Sequence, residues 1–232
     1  MDEGGKYMPE SVNGSMVNYK SNGDSASAYV AYPENGKSNR AVIVIQEWWG
    51  LDEHIRDITD RFARQGFVAA SPDLFHGRVA TEPSDAQKLA QALDRDRAAK
   101  EIDALGKWLG DQSYVTGEKF GVVGYCMGGG LALSTAIRNS QVGGCVNYYG
   151  GAPNPPESAQ NLEAPVLGFF GTDEVERANS LEEILKGYGK QVEVHIYDGA
   201  THGFFNDTGD GYHQNASYDT WPRALRFFET VL

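Results

Sequence analysis

The sequence predicts an α/β fold: a single domain with a mainly parallel central sheet and helices on both faces. Three observations carry this reading. Short apolar runs rich in β-branched residues, of which Ala41-Val42-Ile43-Val44-Ile45 is the clearest, look like strands buried on both faces. Longer segments with apolar residues at helical intervals alternate with them, which is how parallel strands and their crossover helices are encoded. The 232 residues, 41% hydrophobic and 22% charged, suffice for one core that needs no disulfide or metal to hold it. No repeat, low-complexity stretch or Pro/Ser-rich linker divides the chain. Residues 1–14 are read as an N-terminal extension and 15–232 as the domain.

The elements follow in order. Ser15–Tyr19 and Ser27–Ala31 read as antiparallel strands around the turn residues Ser21-Asn22-Gly23-Asp24. After the Ala41–Ile45 strand, a helix from about Asp52 to Gln65 places Ile55, Ile58 and Phe62 on one stripe, with Gly66 past its end. Phe67–Ala70 is a strand stopped by Ser71-Pro72-Asp73. The polar stretch from Pro83 to Leu109 carries Leu89, Leu93, Ile102, Leu105 and Leu109 at helical spacing and predicts two helices. Strands are expected at Phe120–Val123, Val142–Tyr148, Pro165–Phe170 and Val192–Tyr197, and helices at Gly128–Ile137, Ser180–Tyr188 and Tyr218–Val231.

Charge narrows the function classes. Twenty Lys+Arg against 32 Asp+Glu give a net charge of −12, which repels phosphate backbones and anionic lipid, so no nucleic-acid or membrane partner is expected. The polar start, Met1-Asp2-Glu3-Gly4-Gly5-Lys6, lacks the apolar stretch of a secretory signal. Two cysteines make no disulfide framework. The expectation is a cytoplasmic enzyme or binding protein.

Ligands of such sheets sit beyond the carboxyl ends of the strands, so the residues standing there matter most. Gly124-Tyr125-Cys126-Met127-Gly128-Gly129, between a strand and a helix, has the form of a nucleophile elbow with Cys in place of Ser. At a helix N-terminus Cys126 feels the dipole that favours a thiolate. The Met127 N–H points to where an oxyanion would develop, and the loop after Ile45 supplies a second donor, assigned to the Trp48 N–H. A thiol nucleophile needs an imidazole, and the imidazole needs an orienting carboxylate. Asp173 and His202 follow two later strands, so the order is Cys126, Asp173, His202. His213 is the rival imidazole and Glu174 the rival acid. Asp173 is preferred because a short side chain right after a strand suits a rigid orienter. Glu47, between an apolar strand and two tryptophans, should be desolvated and its pKa raised.

Gln46-Glu47-Trp48-Trp49-Gly50, Ser71-Pro72-Asp73-Leu74-Phe75, the Cys126 elbow and His202-Gly203-Phe204-Phe205 together resemble the dienelactone hydrolase family. The resemblance spans from about residue 15 to the C-terminus. It implies a single-domain α/β-hydrolase fold, a Cys–His–Asp triad, no cofactor and a monomer acting on a small ester or lactone, while the histidines, lacking His-x-x-x-His or Cys/His ligand spacing, give no reason to expect a metal. It also implies that Glu47 holds the resting thiol unreactive until substrate displaces it. Members of that family hold their substrate's carboxylate with two arginines, and this sequence departs there: the matching positions are Asn206 and Pro83. Arg78 and Arg95 lie nearby and could substitute. The expected substrate contacts are Arg78, Tyr149, Trp49, Phe204 and Asn206. Other readings are a broad-specificity neutral esterase or thioesterase without dienelactone activity, a glutaminase with a similar elbow, a thiol-redox protein using Cys145 as partner, and a hydrolase-fold binding protein without turnover.

Overall fold

A computed structural model describes residues 11–34 and 39–232. Among these residues, eight strands form one sheet in the order β1-β2-β4-β3-β5-β6-β7-β8. They are β1 (Val12–Ser21), β2 (Asp24–Pro33), β3 (Ala41–Ile45), β4 (Val68–Pro72), β5 (Phe120–Tyr125), β6 (Val142–Tyr148), β7 (Val166–Gly171) and β8 (Val192–Tyr197). Only β2 runs against the others, pairing antiparallel with both β1 and β4. From β4 through β8 every pairing is parallel, as the apolar runs predict.

The first hairpin is longer than its sequence suggests. Polar residues on a solvated face hide the pairing of Val12 with Pro33, so β1 starts inside the stretch read as an extension. Residues 1–10 of that extension lie outside the described residues. The turn is Asn22-Gly23, with φ of 54° and 79°. Two successive positive φ values are what a two-residue turn needs to match the strand twist, and Asn-Gly supplies them at little cost.

Among the described residues, six α-helices cover the sheet: α1 (Glu53–Arg64), α2 (Pro83–Ala92), α3 (Arg95–Gly110), α4 (Met127–Arg138), α5 (Val175–Gly187) and α6 (Gln214–Val231). Asp52 caps α1 by accepting the Ile55 N–H at 2.9 Å. The core divides at the sheet. Alternate residues of β3, Ile43 and Ile45, join a cluster with Ala98, Ile102 and Leu105 of α3, Leu131 and Leu133 of α4 and Leu181 of α5. Val42 and Val44 join Ile55, Ile58 and Phe62 of α1 and Phe228 of α6 on the other face. A strand buried on both faces explains why β3 reads as unbroken Ala, Val and Ile. Helix α5 begins five residues before the expected Ser180, because Val175 and Glu176 at its start are exposed and add nothing to an apolar stripe.

Two close approaches fix the geometry between β5 and α4. A Cβ on Gly124 would lie 1.9 Å from the Gly128 carbonyl oxygen, and one on Gly128 would lie 2.3 Å from that of Ile45. Only glycine lets strand, turn and helix come this near. The helix therefore starts directly over the carboxyl ends of β3 and β5.

Candidate active site

Cys126 sits between β5 and α4 with φ 55° and ψ −117°. A non-glycine residue is rarely held in this region, and here the Cys126 N–H bonds the Tyr148 carbonyl at 3.0 Å while its carbonyl accepts from Gly129 at 3.1 Å. The strained turn lifts the half-buried thiol above the sheet. Met127 opens α4, where its N–H has no preceding intrahelical carbonyl to meet.

His202 faces Cys126 from the loop after β8, near enough for the thiol to act on the imidazole. Its Nδ1 lies 2.7 Å from Oε1 of Glu174. Cys126 and then Glu174 push the imidazole up to about 10, against burial, which acts the other way. The acid at the ring is therefore Glu174 and not Asp173, the sequence-based preference. A short 3-10 turn, Thr172–Glu174, follows β7 and makes the difference. It turns Glu174 inward to 5% exposure and leaves Asp173 outside, where Oδ2 accepts the backbone N–H of His202 at 3.1 Å. Once the turn directs the side chain inward, the extra methylene of Glu gives the reach that an Asp would need from the strand end itself.

The remaining histidines lie elsewhere. His213 caps α6, accepting the Ala216 N–H. His54 pairs with Asp207, His76 with Glu101 and His195 with Glu193. Cys145 is fully buried in β6, and burial pushes its thiol far up, so it cannot act as a ready redox partner.

Glu47 is buried directly after β3 at 4% exposure. Burial raises its pKa, opposed by hydrogen bonds from Asn206 Nδ2 at 2.9 Å and the Tyr149 hydroxyl at 3.2 Å. Asn206, expected as a substrate contact, is thus spent on Glu47. The Glu47 loop is braced from below. Ser71 Oγ donates to the Val44 carbonyl at 2.8 Å, the Leu74 N–H to Gln46 Oε1 at 3.3 Å and the Ala80 N–H to the Trp49 carbonyl at 2.8 Å.

A cleft of about 1010 Å³ opens over the thiol, lined by Trp48, Cys126, Met127, Tyr149 and His202. Tyr149 is fully buried, and its ring meets that of His202 edge-on at 5.1 Å. Three other expected contacts are not in the lining. Phe204 is fully buried in the core on the α1 and α6 side, where Ser217 also bonds its carbonyl. Trp49 packs edge-on against Trp48 at 5.3 Å instead of facing the opening. Arg78 lies on an exposed turn beside His76 and Arg97. The cations that do line the cleft are Arg95, Arg138 and Arg177. Arg138 is paired with Asp103 and Arg177 with Glu174. Sequence reasoning missed Arg177; its one signal is the three-residue spacing from Glu174 at the start of a helix.

Among the described residues, no group of three His, Cys, Asp or Glu side chains is placed to hold a metal ion. None of their helices is long and apolar enough to cross a membrane.

Residues 26–232 match the family model described as "Dienelactone hydrolase family". "Protein usf" of Aquifex pyrophilus is 34% identical over 232 residues, covering 94% of this chain and 99% of that protein. A protein of Saccharolobus solfataricus named "Putative carboxymethylenebutenolidase" is 31% identical over 252 residues, covering 92% and 97%. The crystal structure of a Klebsiella pneumoniae protein named "Putative Dienelactone Hydrolase" superposes with a TM-score of 0.87 at 26% identity, covering 95% of this chain and 99% of that one.

Proposed function

The chain belongs to the dienelactone hydrolase family, and from that membership and the site we propose that it is a cysteine-dependent hydrolase of carboxylic esters or lactones. One observation carries the reading. A cysteine held at positive φ at the head of α4 is faced by an imidazole whose Nδ1 is held by a buried carboxylate. That is the arrangement of nucleophile, base and orienter that acyl transfer requires.

The Cys126 thiolate attacks the carbonyl carbon, forming a C–S bond, and the carbonyl electron pair moves to oxygen. The Met127 and Trp48 N–H groups stabilise that oxyanion. Collapse breaks the C–O bond, and protonated His202 gives its proton to the departing alkoxide. In a lactone this alkoxide stays tethered to the acyl group. Water then attacks the thioester while His202 takes its proton. The C–S bond breaks, releasing the acid and regenerating the thiol–imidazole pair. Glu174 holds the imidazole in the tautomer that faces sulfur. Glu47, buried and hydrogen-bonded, guards the resting thiol. The reading carries with it a cofactor-independent monomer of the cytoplasm acting on a small molecule.

Arg95 supports an anionic substrate better than Arg78 does, because it lines the cleft and, among the described residues, no carboxylate forms an ion pair with it. The test compares kcat/KM for a dienelactone and for p-nitrophenyl acetate. Both are expected to turn over. Arg95→Ala should raise KM for the anionic lactone by about three- to tenfold, the worth of one partly exposed charge-assisted bond, and leave the neutral ester unchanged. Turnover of neither compound would refute the hydrolase reading. An equal effect of Arg95→Ala on both would remove Arg95 from substrate recognition.

A further inference from the structure

Arg177 has no part in the acyl transfer just described, yet it touches the site at two points. It stands in the first turn of α5, three residues after Glu174, the spacing at which helical side chains meet. Its Nη1 donates to Glu174 Oε1 at 2.5 Å and to the backbone carbonyl of Tyr149 at 3.3 Å. The first of these oxygens also takes His202 Nδ1, at 2.7 Å. Among the described residues, the other carboxylate oxygen accepts only the Gly171 N–H, at 3.5 Å. One nitrogen of Arg177 therefore ties the turn after β7 to the turn after β6 and shares a single acceptor with the imidazole.

Two consequences follow from elementary electrostatics. A carboxylate oxygen held by a guanidinium is less able to swing away from the histidine ring, so the ring keeps its aim at Cys126. A cation on that oxygen also draws off charge that would otherwise stabilise the imidazolium. The second bond steadies Tyr149, held at a φ of 42° with its hydroxyl on Glu47.

We propose that Arg177 is a positioning residue: it fixes Glu174 Oε1 on His202 and trims the proton affinity of the imidazole, setting the pH limb of activity that His202 governs. The assignment rests on the hydrolase reading above. The titratable and charged groups facing this pair are Cys126 at the head of α4, Glu47 after β3, Tyr149 after β6, and Asp173 with Glu174 after β7. Among the described residues, Arg177 is the one cation bonded to the Glu174 carboxylate apart from His202 itself.

The experiment records kcat/KM and kcat against pH for p-nitrophenyl acetate with wild type, Arg177→Gln, Arg177→Ala and Arg177→Lys, and with Cys126→Ala as blank. A neutral ester is used so that losing a cleft cation does not itself weaken binding. In parallel, the His202 imidazole is titrated by NMR, which needs no turnover, and folding is checked by thermal unfolding. With the guanidinium gone, Glu174 acts on His202 undiminished. Arg177→Gln and Arg177→Ala should therefore move the His202 titration and its activity limb up by roughly 0.5–1 pH unit, a partly screened charge effect. We expect kcat to fall by about three- to tenfold with KM within about twofold, the mark of a group acting on the chemical step. Arg177→Lys, which keeps the charge, should restore most of the limb. Limbs and NMR midpoints that coincide with wild type in folded Gln and Ala variants would overturn the proposal. So would equal displacement in the Lys variant, since charge would not then be the agent. Wild type no faster than Cys126→Ala would refute the hydrolase reading instead, and the NMR titration would still decide the placement of Arg177.

Discussion

Replacing Cys126 with alanine is expected to lower kcat/KM for p-nitrophenyl acetate by about 10⁴-fold or more, to the level that oxyanion binding and substrate positioning give without a nucleophile. Alanine keeps a Cβ at the same strained turn, so the fold should survive. The backbone bonds that hold that turn, from Cys126 to Tyr148 and from Gly129 to Cys126, do not use the sulfur. Steady-state kinetics together with a thermal unfolding curve make the test. A folded Cys126→Ala protein that kept wild-type esterase activity would mean that the thiol is a bystander and that water is activated elsewhere. A covalent check is independent of rate: mass spectrometry after rapid acid quench should find an acyl adduct on the wild-type protein and none on the variant.

The second large effect separates two neighbouring acids. Glu174→Gln should reduce kcat/KM by roughly 10²- to 10⁴-fold, because an amide cannot hold the imidazole in the right tautomer or stabilise its charged form. Asp173→Asn should cost no more than about tenfold, since that side chain anchors only the His202 backbone, one hydrogen bond's worth of order. The Gln variant should also lose the upward displacement that Glu174 contributes to His202. The sign is fixed by the folded-state shift. Stability from a raised imidazole is fully present below the ordinary histidine pKa of about 6.5 and is lost as pH rises toward about 10, so the difference in unfolding temperature between wild type and Glu174→Gln should shrink across that window. The reverse ranking, with Asp173 the costlier loss, would mean that the turn after β7 rearranges when substrate binds.

These two acids also mark how far the sequence can be read. The strands, their places along the chain and the elbow were legible because each has a local cause: Val and Ile runs for strands buried on both faces, glycines where backbones nearly touch, and a cysteine where strand meets helix. Val142–Tyr148 and Val192–Tyr197 match the structure residue for residue. Glu47 was legible as a buried carboxylate because an apolar strand and two tryptophans enclose it. The choice between Asp173 and Glu174 was not, since it depends on one 3-10 turn whose direction leaves no mark in residue spacing. The pocket walls were harder still. Phe204 and Trp49 are adjacent in sequence to site residues yet turn into packing, while Arg95 and Arg177 reach the cleft from helices. Arg78 was set aside by a turn that points to solvent. Side-chain direction at a loop or a helix start is decided by tertiary contacts, and sequence periodicity does not record them.

The site draws Glu47 from the turn after β3, Cys126 from that after β5, Glu174 from that after β7 and His202 from that after β8. A ribosome makes these in sequence, and the histidine comes last of the four. While the chain is growing, the cysteine exists for many seconds with no imidazole to activate it, at synthesis speeds of about 5–20 residues per second. On the hydrolase reading, a nascent or prematurely terminated chain therefore carries the thiol without its base. Chemical competence, on that reading, waits for the last parallel strand, whose following loop carries His202.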